Sequence, residues 1–414
     1  MFKKLSSQDS KVVFQNFLSL LVLRGLDFLI PLLTFPYLLK AIGVEKFGLV
    51  NFAIALCVYF SAVVQYGFSV TATRDIARNR SNEQKLSEIY SVTLSCSVFL
   101  SIVCLMAYSV IVMSFEKFRV DYELFFLTFL SVITSALFPI WFFQGIEKMK
   151  FITYFGLFSK ISFLVSLFIF VKEESDYILV PLLNFVFYFI SLVLSLFVIS
   201  KYQKVKFKLV PINRILENLA NSKDAFITQF APNLYTNTSV FLLGIFTNNV
   251  TVGVFTAASK VIDALGSLAY VFSNAFLPFI SREIKNHKMF SNIMISVGVI
   301  LAVALLLLSD FIAGLLFADS AKEVVKYMEI MSICIPLIFL NLTFGNNYLM
   351  LVDKEAYFKK VVLYTSLLSL SLTFPVVYYF GIYGSIFSLI FTRMVIFIWV
   401  YPVYRTDWKK RLDA

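Results

Sequence analysis

The sequence predicts an all-α membrane protein with twelve transmembrane helices, and three observations lead to this fold class. Apolar runs of roughly 20 residues, long enough to cross a bilayer as helices, recur from end to end. The composition is 59% hydrophobic and only 15% charged, whereas soluble globular proteins carry about 25% charged residues. The runs also lack the short alternating pattern of β-barrel strands.

The apolar runs divide into predicted spans, six in each half of the chain. The spans cover residues 17–39, 47–70, 89–114, 122–143, 151–171, 177–200, 225–247, 252–280, 291–317, 327–352, 360–381 and 383–404. The first run is too long for a signal-peptide core and lacks a small-residue cleavage site, so we expect the mature protein to retain it. The longest inner connection lies near the midpoint and separates a predicted N-terminal six-helix lobe, 1–210, from a C-terminal six-helix lobe, 211–414.

Basic residues are distributed unevenly between alternate loops. Loops on the side of the N-terminus hold 25 of the 36 lysines and arginines, the opposite loops hold seven, and the spans hold four. Short loops rich in Lys and Arg face the cytoplasm, so both termini are expected there. The net charge of +11 then reflects membrane topology, and no nucleic-acid partner is predicted.

Charged residues inside the spans are the strongest functional signal. A charge at the bilayer centre costs roughly 2.5–3.5 kcal/mol on insertion scales, so such residues usually mark a substrate or ion path. Asp27 and Asp263 each lie three residues beyond a basic residue and share its helical face. We predict that the cations line a polar cavity for an anionic substrate, with the carboxylates as charge partners or ion-coupling groups. The in-span cations are Arg24, Lys160, Lys260 and Arg393.

A structural interpretation of these charges stays open at this point. Local ion pairs would explain them without a substrate, and basic side chains near a span end can extend to the interface. Extension is plausible for Arg24 and poor for Lys160 and Arg393, which have no acidic residue nearby in sequence. Pro31 and Pro36 are expected to bend the first span.

Two inner-loop segments carry further predictions. Arg74 and Arg78 could contact phosphate groups at the cytoplasmic mouth of the cavity, or could serve only as topological anchors. Residues 212–220 place apolar side chains on one helical face, which predicts a short helix in the membrane interface. Gly48 and Gly253 occupy equivalent places when the two halves are aligned as a parallel repeat.

The sequence lacks the motifs of soluble enzymes, cofactor sites and ATPases, so neither a cofactor nor catalysis is expected. The cysteines form no CxxC pair and no Cys/His cluster, so we expect no disulfide and no metal. His287 is the only histidine and is predicted to be a solvated residue of a basic inner loop. The four cysteines, all within spans, are Cys57, Cys96, Cys104 and Cys334.

Several segments together resemble one family, the Wzx-type polysaccharide flippases of the multidrug/oligosaccharidyl-lipid/polysaccharide exporter superfamily. Most of these segments lie in the first half, and the second half is similar mainly in topology and in one loop. The matching segments are Asn16–Leu21, Leu32–Leu38, EKFGLVNFA at 45–53, YGFSVTATRDIA at 66–77, WFFQGIEK at 141–148 and VDKE at 352–355.

The resemblance implies two six-helix bundles in a MATE-like V, with spans one, two, seven and eight around a central cationic cavity. It implies a bacterial inner-membrane protein that moves an undecaprenyl-pyrophosphate-linked O-antigen or related repeat unit from the cytoplasmic to the outer leaflet by alternating access. The expected partners are this lipid-linked oligosaccharide, membrane lipids and the polysaccharide polymerase machinery. The charged positions do not follow from the resemblance, because family members differ in which helices carry cations.

Other function classes fit less well. A drug or metabolite antiporter of the same superfamily is the main alternative, but a site for cationic drugs should be acidic, and this interior is net basic. A polysaccharide polymerase or ligase would carry a large outer loop, and no outer loop here is long enough to fold. A receptor or channel is the remaining alternative.

Overall fold

The computed structural model describes the backbone of residues 7–231, 233–317 and 321–413, and the side chains of most of them from residue 30 onward. All regular structure in these ranges is helical. The α-helices, numbered in chain order, are α1 Ser7–Gln65, α2 Phe68–Arg78, α3 Glu83–Ser114, α4 Glu116–Arg119, α5 Tyr122–Leu137, α6 Ile140–Gly145, α7 Lys150–Phe170, α8 Leu179–Tyr202, α9 Ile212–Phe230, α10 Asn233–Thr236, α11 Thr238–Phe246, α12 Asn249–Arg282, α13 Asn286–Phe317, α14 Ala321–Met331, α15 Cys334–Leu340, α16 Leu349–Leu351 and α17 Glu355–Asp413.

Two less common helices complete the set. A 3₁₀ helix, Glu174–Ile178, precedes α8, and a π-helix, Asn341–Tyr348, joins α15 to α16. Eight residues of π-helix are unusual, because π-helical segments are mostly single turns and frequently occur at functional sites.

The two longest helices each contain a glycine that breaks the helical path. Gly43 in α1 has φ 71° and ψ 166°, and Gly381 in α17 has φ 53° and ψ −124°. Both are positive-φ conformations, which glycine adopts without steric cost. Gly43 lies in the predicted connection between the first two spans, and Gly381 is the last residue of the predicted span 360–381.

Nine helices in the described residues are long and apolar enough to cross a membrane. Two of these candidates, Leu33–Arg78 and Glu355–Arg411, contain the glycine breaks. The predicted span 225–247 is not one helix, since α9 ends at Phe230 and α10 and α11 follow. The fold class is therefore a multi-helix membrane protein, and the count of twelve stays a prediction.

The chain forms two compact units. The first comprises Met1–Pro31 and Ala53–Phe230, and the second comprises Leu32–Phe52 and Ala231–Ala414. The central part of α1 thus packs within the second unit. The lobes predicted at 1–210 and 211–414, and their V arrangement, stay predictions.

The core of the first unit contains two of the segments that carry the family resemblance. Phe142 and Phe143 of α6 are fully buried, and the Thr73 hydroxyl of α2 donates to the Trp141 carbonyl at 3.3 Å. A Cβ on Gly145 would lie 2.6 Å from the Ile76 side chain, so only glycine allows this approach. The two signatures therefore form a structural contact, because α2 and α6 pack directly on each other.

The helix predicted at 212–220 is present and longer, because α9 runs from Ile212 to Phe230. It packs on α2, where Gln229 donates to the Ser69 hydroxyl at 2.7 Å. Ile215 is buried, whereas Leu216 stays exposed. One apolar part of the helix thus packs inside the unit, and another remains at its surface.

His287 corrects a prediction. It is not a solvated loop residue: α13 begins at Asn286, and the His287 side chain is fully buried in the second unit. Its Nε2–H donates to the Thr343 carbonyl of the π-helix at 3.1 Å. The imidazole lies among aromatic rings of the π-helix, α13 and α17, namely Phe290, Phe344, Tyr348, Tyr404 and Trp408.

Candidate functional site

The second unit brings together three of the charged residues predicted from the sequence. Helix α12 carries Lys260 and Asp263 one turn apart, and α17 supplies Arg393. Residues three apart on a helix share a face, so the backbone of α12 aims both side chains to the same side. These three residues, two cations and one carboxylate, are called the charged site below.

Asp263 pairs with Arg393 rather than with Lys260. The Arg393 Nη2 lies 3.8 Å from the Asp263 Oδ1. The Arg393 side chain is 16% exposed, whereas the Asp263 side chain is 59% exposed. At this distance the pair is longer than a charge-assisted hydrogen bond, which is typically about 2.7–2.9 Å. Asp263 thus offsets the charge of Arg393 without occupying its hydrogen-bonding positions.

The guanidinium of Arg393 has spare hydrogen-bonding capacity. Its Nη1 is buried and has no hydrogen-bond partner within the described residues, and the same holds for the Oδ1 of Asn341. The Nδ2 of Asn341, the first residue of the π-helix, donates to the Arg393 carbonyl at 2.9 Å. A buried arginine with a free N–H can donate to an oxygen of an anionic ligand, the interaction that arginine makes best.

Lys260 is held differently. Its Nζ lies 5.0 Å from the centroid of the Phe35 ring, and Phe35 in turn meets Phe47 edge-on at 6.0 Å. No ion pair in the described part of the chain involves Lys260, whose side chain is half-buried. The face of an aromatic ring attracts a cation, but it carries only a partial negative potential and holds the cation less strongly than a carboxylate would.

The other predicted site residues lie elsewhere. Lys160 is half-buried on α7, and Arg74 and Arg78 are exposed on α2, all in the first unit. Arg24 and Asp27 lie on α1, but their side chains are outside the described residues. The assignment of these five to a substrate site stays a prediction.

Sequence reasoning missed two residues of the charged site. Asn341 lies inside a predicted apolar span together with Asn346 and Asn347, and these amides were a usable signal for a polar interior. Phe35 carried no such signal, because it is one of 48 phenylalanines and its contact with Lys260 joins residues far apart in the chain.

Titratable groups also lie outside the charged site. No group of three or more His, Cys, Asp and Glu side chains converges anywhere in the described ranges. All four cysteines are buried and unbridged. The thiol of Cys334 lies beside the Arg393 guanidinium and adds a further weak hydrogen-bonding group to the site.

Comparison with protein families gives one match across most of the chain. Residues 13–284 match the model of the family described as polysaccharide biosynthesis protein. A protein named "Putative O-antigen transporter" from Escherichia coli strain K12 is 26% identical over 390 residues, 92% of this chain and 94% of that protein. A protein of the same name from Shigella dysenteriae is 26% identical over 392 residues, 93% of this chain and 98% of its own length.

Two solved structures of transporters share the fold of this chain. The lipid II flippase MurJ, in an inward closed conformation, aligns with a TM-score of 0.76 at 14% identity, over 95% of this chain and 87% of MurJ. An inward-facing multidrug resistance MATE family transporter aligns with a TM-score of 0.65 at 13% identity, over 92% of this chain and 96% of its own. At these identities the likeness concerns the fold.

Proposed function

Because the chain belongs to the family of polysaccharide biosynthesis proteins, we propose that it flips a lipid-linked oligosaccharide across a membrane. The family match and the two O-antigen transporter relatives confirm the resemblance to Wzx-type polysaccharide flippases. The fold shared with MurJ and with MATE transporters is that of a transporter.

The finer proposal concerns the substrate, its direction and the membrane. The substrate is an O-antigen or related repeat unit linked to undecaprenyl pyrophosphate, moved from the cytoplasmic to the outer leaflet of the bacterial inner membrane. The bias of lysines and arginines toward one set of loops supports cytoplasmic termini and this orientation. Membrane lipids and the polysaccharide polymerase machinery are the proposed partners.

One observation carries the substrate assignment: within the part of the chain that the structure describes, the buried Nη1 of Arg393 has no hydrogen-bond partner and Lys260 has no ion pair. A pyrophosphate diester has two ionised phosphates, and its oxygens would accept hydrogen bonds from Arg393 Nη1 and from the Lys260 ammonium. Charge-assisted hydrogen bonds to phosphate are roughly twice as strong as neutral ones. Asp263 would keep Arg393 oriented while the site is empty.

The proposed cycle needs no covalent chemistry. The cations bind the pyrophosphate, polar side chains accompany the sugars, and the polyprenyl tail stays in the lipid because it is apolar. Alternating access then exposes the head group to the opposite side. The sequence has no ATP-binding loop, so we propose that an ion gradient, the membrane potential or the substrate's own gradient drives the step.

Charge reversal in cells tests the proposal. Replacing the chromosomal copy with Lys260→Glu or Arg393→Glu should abolish surface polysaccharide while the protein remains in the membrane at its normal level. Lys322→Glu and Arg405→Glu change the charge equally at exposed positions and should keep normal polymer. Normal polymer in the Lys260 and Arg393 variants would overturn the site.

Purified protein provides the direct measurement. In vesicles that contain a fluorescent undecaprenyl-pyrophosphate-linked oligosaccharide, the wild type should make the inner-leaflet lipid accessible to an impermeant quencher. The reversal variants should not. A wild-type protein that transports cationic drugs and leaves the lipid in its leaflet would instead support the antiporter alternative.

A further inference from the structure

Residues 32–52 of α1, called the clamp segment below, pack against α11 and α12 within the second unit. A Cβ on Gly48 would collide with the carbonyl oxygen of Asn249, and a Cβ on Gly253 would collide with that of Val44. A Cβ on Gly244 of α11 would collide with the Phe52 ring. The clamp segment thus lies against two helices at backbone distance, and side chains at these glycines would prevent the approach.

The two glycine contacts are reciprocal. Each glycine lies over the carbonyl of the residue four positions before the other glycine, since Val44 precedes Gly48 by four and Asn249 precedes Gly253 by four. Such close backbone crossings are typical of helix pairs in membranes, where small residues permit contact that apolar side chains cannot provide. The crossing fixes the position of the clamp segment on α12.

The same segment carries Phe35, whose ring faces the Lys260 ammonium on α12 at 5.0 Å. Phe35 is further steadied by its edge-on contact with Phe47, one residue before Gly48. The glycine crossing and the cation–π contact therefore join the same two elements at two places. Any motion that separates the clamp segment from α12 must remove the ring from the ammonium.

We propose that Phe35 is a positioning residue that caps Lys260, and that the glycine crossing holds this cap in place until the clamp segment leaves α12. The assignment of Lys260 to a pyrophosphate rests on the function proposed above, whereas the cap itself does not. While the cap is in place, the Lys260 Nζ lies over the Phe35 ring, a weaker partner than a carboxylate. When the clamp segment departs, the ammonium is free for a phosphate oxygen.

A ring serves this purpose better than a carboxylate. A carboxylate within ion-pair distance would neutralise the ammonium and compete strongly with phosphate, because the attraction between opposite charges grows as water is excluded. A ring face holds the ammonium with a smaller energy, which a doubly ionised pyrophosphate exceeds. Asp263 lies on the same face of α12, yet its carboxylate pairs with Arg393. Among the described residues, the Lys260 ammonium contacts the Phe35 ring.

The first test measures the reactivity of Lys260 in the full-length protein in detergent, with no substrate present. An amine-acylating reagent modifies lysines according to their accessibility, and mass spectrometry reads Lys260 against the exposed Lys322 as an internal reference. Phe35→Leu should raise the relative rate at Lys260 by about three- to tenfold, the range expected for loss of a cation–π contact. Phe35→Trp should keep the wild-type rate or lower it.

Phe246 supplies the matched control. It also lies in the second unit, and its ring contacts those of Phe374 and Tyr378. Phe246→Leu should leave Lys260 reactivity unchanged. Equal reactivity of Lys260 in the wild type, Phe35→Leu and Phe35→Trp would overturn the cap, and so would an equal rise in Phe246→Leu.

The second test separates the clamp segment from α12. Gly48→Ala and Gly48→Leu should raise Lys260 reactivity in that order, although Phe35 itself is unchanged. Gly314 of α13 has open space around its Cβ position, so Gly314→Leu is the control and should have no effect. If Gly48→Leu does not fold, Gly48→Ala with Gly253→Ala decides the matter. Folded Gly48 or Gly253 variants with wild-type Lys260 reactivity would refute the coupling.

A third measurement keeps the two proposals distinguishable. If Lys260→Gln retains wild-type transport but Phe35→Leu raises Lys260 reactivity, the cap stands and the pyrophosphate role of Lys260 fails. If Lys260→Gln loses transport but Phe35→Leu leaves both reactivity and transport unchanged, the proposed function stands and the cap fails.

Discussion

Arg393 is the residue on which the proposed chemistry depends most directly. Its side chain is 16% exposed, whereas that of its partner Asp263 is 59% exposed. Loss of Arg393 should therefore leave a largely exposed carboxylate rather than a fully buried unpaired charge, so we expect only a small loss of stability. Substitutions of Arg393 should therefore reduce transport more than they reduce stability.

We predict that Arg393→Met reduces transport about tenfold or more, because a hydrogen bond to a charged group contributes about 1.5–3 kcal/mol. Arg393→Lys keeps the charge but loses the planar fork, so it should be intermediate. The vesicle assay gives the rates, and thermal unfolding checks the fold. Arg405→Met, at an exposed position on the same helix, should match the wild type; a similar loss there would contradict the assignment.

His287 is expected to act as a structural residue. Replacing it with alanine removes a donor to the Thr343 carbonyl and opens a cavity beside Tyr348, whose ring centroid is 4.8 Å away. We expect a loss of about 2–4 kcal/mol in the free energy of unfolding. His287→Phe refills the space but leaves the carbonyl unpaired, so it should lose less. The measurement is thermal unfolding in detergent.

The neighbour Lys288 is exposed and provides the control, since Lys288→Ala should change stability little. A His287→Ala protein as stable as the wild type would show that the aromatic surroundings do not depend on the imidazole.

The same residues show where sequence reasoning works and where it stops. The in-span position of Arg393 and Asp263 was visible in the sequence, but their mutual pairing was not, because α12 and α17 are far apart in the chain. The i, i+3 spacing predicts only that Asp263 shares a helical face with Lys260. It does not predict which cation the carboxylate pairs with. His287 appeared solvated because its immediate neighbours are basic, whereas the rings that bury it come mostly from the π-helix and α17.

At the scale of helices, apolar runs predict that a helix is present better than they predict whether it is uninterrupted. The runs marked α3, α7, α8 and α13 well, since each is one uninterrupted helix. Hydropathy does not distinguish a loop between two helices from a helix interrupted at one residue. At Gly43 and at Gly381 the chain has such a one-residue interruption, at or next to a predicted connection between spans. The sequence also did not predict the π-helix, because eight residues are too few to show an apolar repeat that differs from that of an α-helix.

The connection between α8 and α9 is held to α3 by hydrogen bonds to two serine hydroxyls. Residues 203–211 form an extended strap pinned to α3, where the amide of Lys206 donates to the Ser87 hydroxyl at 3.1 Å and that of Lys208 donates to the Ser91 hydroxyl at 2.9 Å. Within the strap, the Val205 side chain is buried. The strap thus has its own side-chain partners, although it lacks a helix or a sheet.

Removing both hydroxyls should loosen the strap. In a Ser87→Ala, Ser91→Ala protein we expect amide hydrogen exchange across 203–211 to be about fivefold faster or more, because each bond contributes about 1 kcal/mol. Ser109→Ala is the control, since that exposed hydroxyl bonds only to the Leu105 carbonyl of its own helix. Unchanged exchange in the double variant would mean that packing of Val205 alone holds the strap.

At the scale of the molecule, the reciprocal glycine contact relates the two halves of the sequence. Gly48 and Gly253 are equivalent positions in the predicted repeat. Each lies against the helical turn that precedes the other glycine. A reciprocal contact of this kind is what a local two-fold relation between equivalent helices produces. Alignment of two residues was weak evidence for a repeat, and their mutual contact adds a geometric argument to it.

The predicted topology is the last property open to a direct test, and it concerns the whole chain. Single cysteines replacing Lys409, Lys85 and Lys322 should report the two sides of the membrane, because the first two lie in predicted cytoplasmic segments and the third in an outer loop. In intact spheroplasts an impermeant maleimide should label only the residue-322 variant, and after permeabilisation all three. The four native cysteines are buried and should contribute little background. Labelling at residue 409 in intact spheroplasts would invert the topology, and with it the proposed direction of flipping.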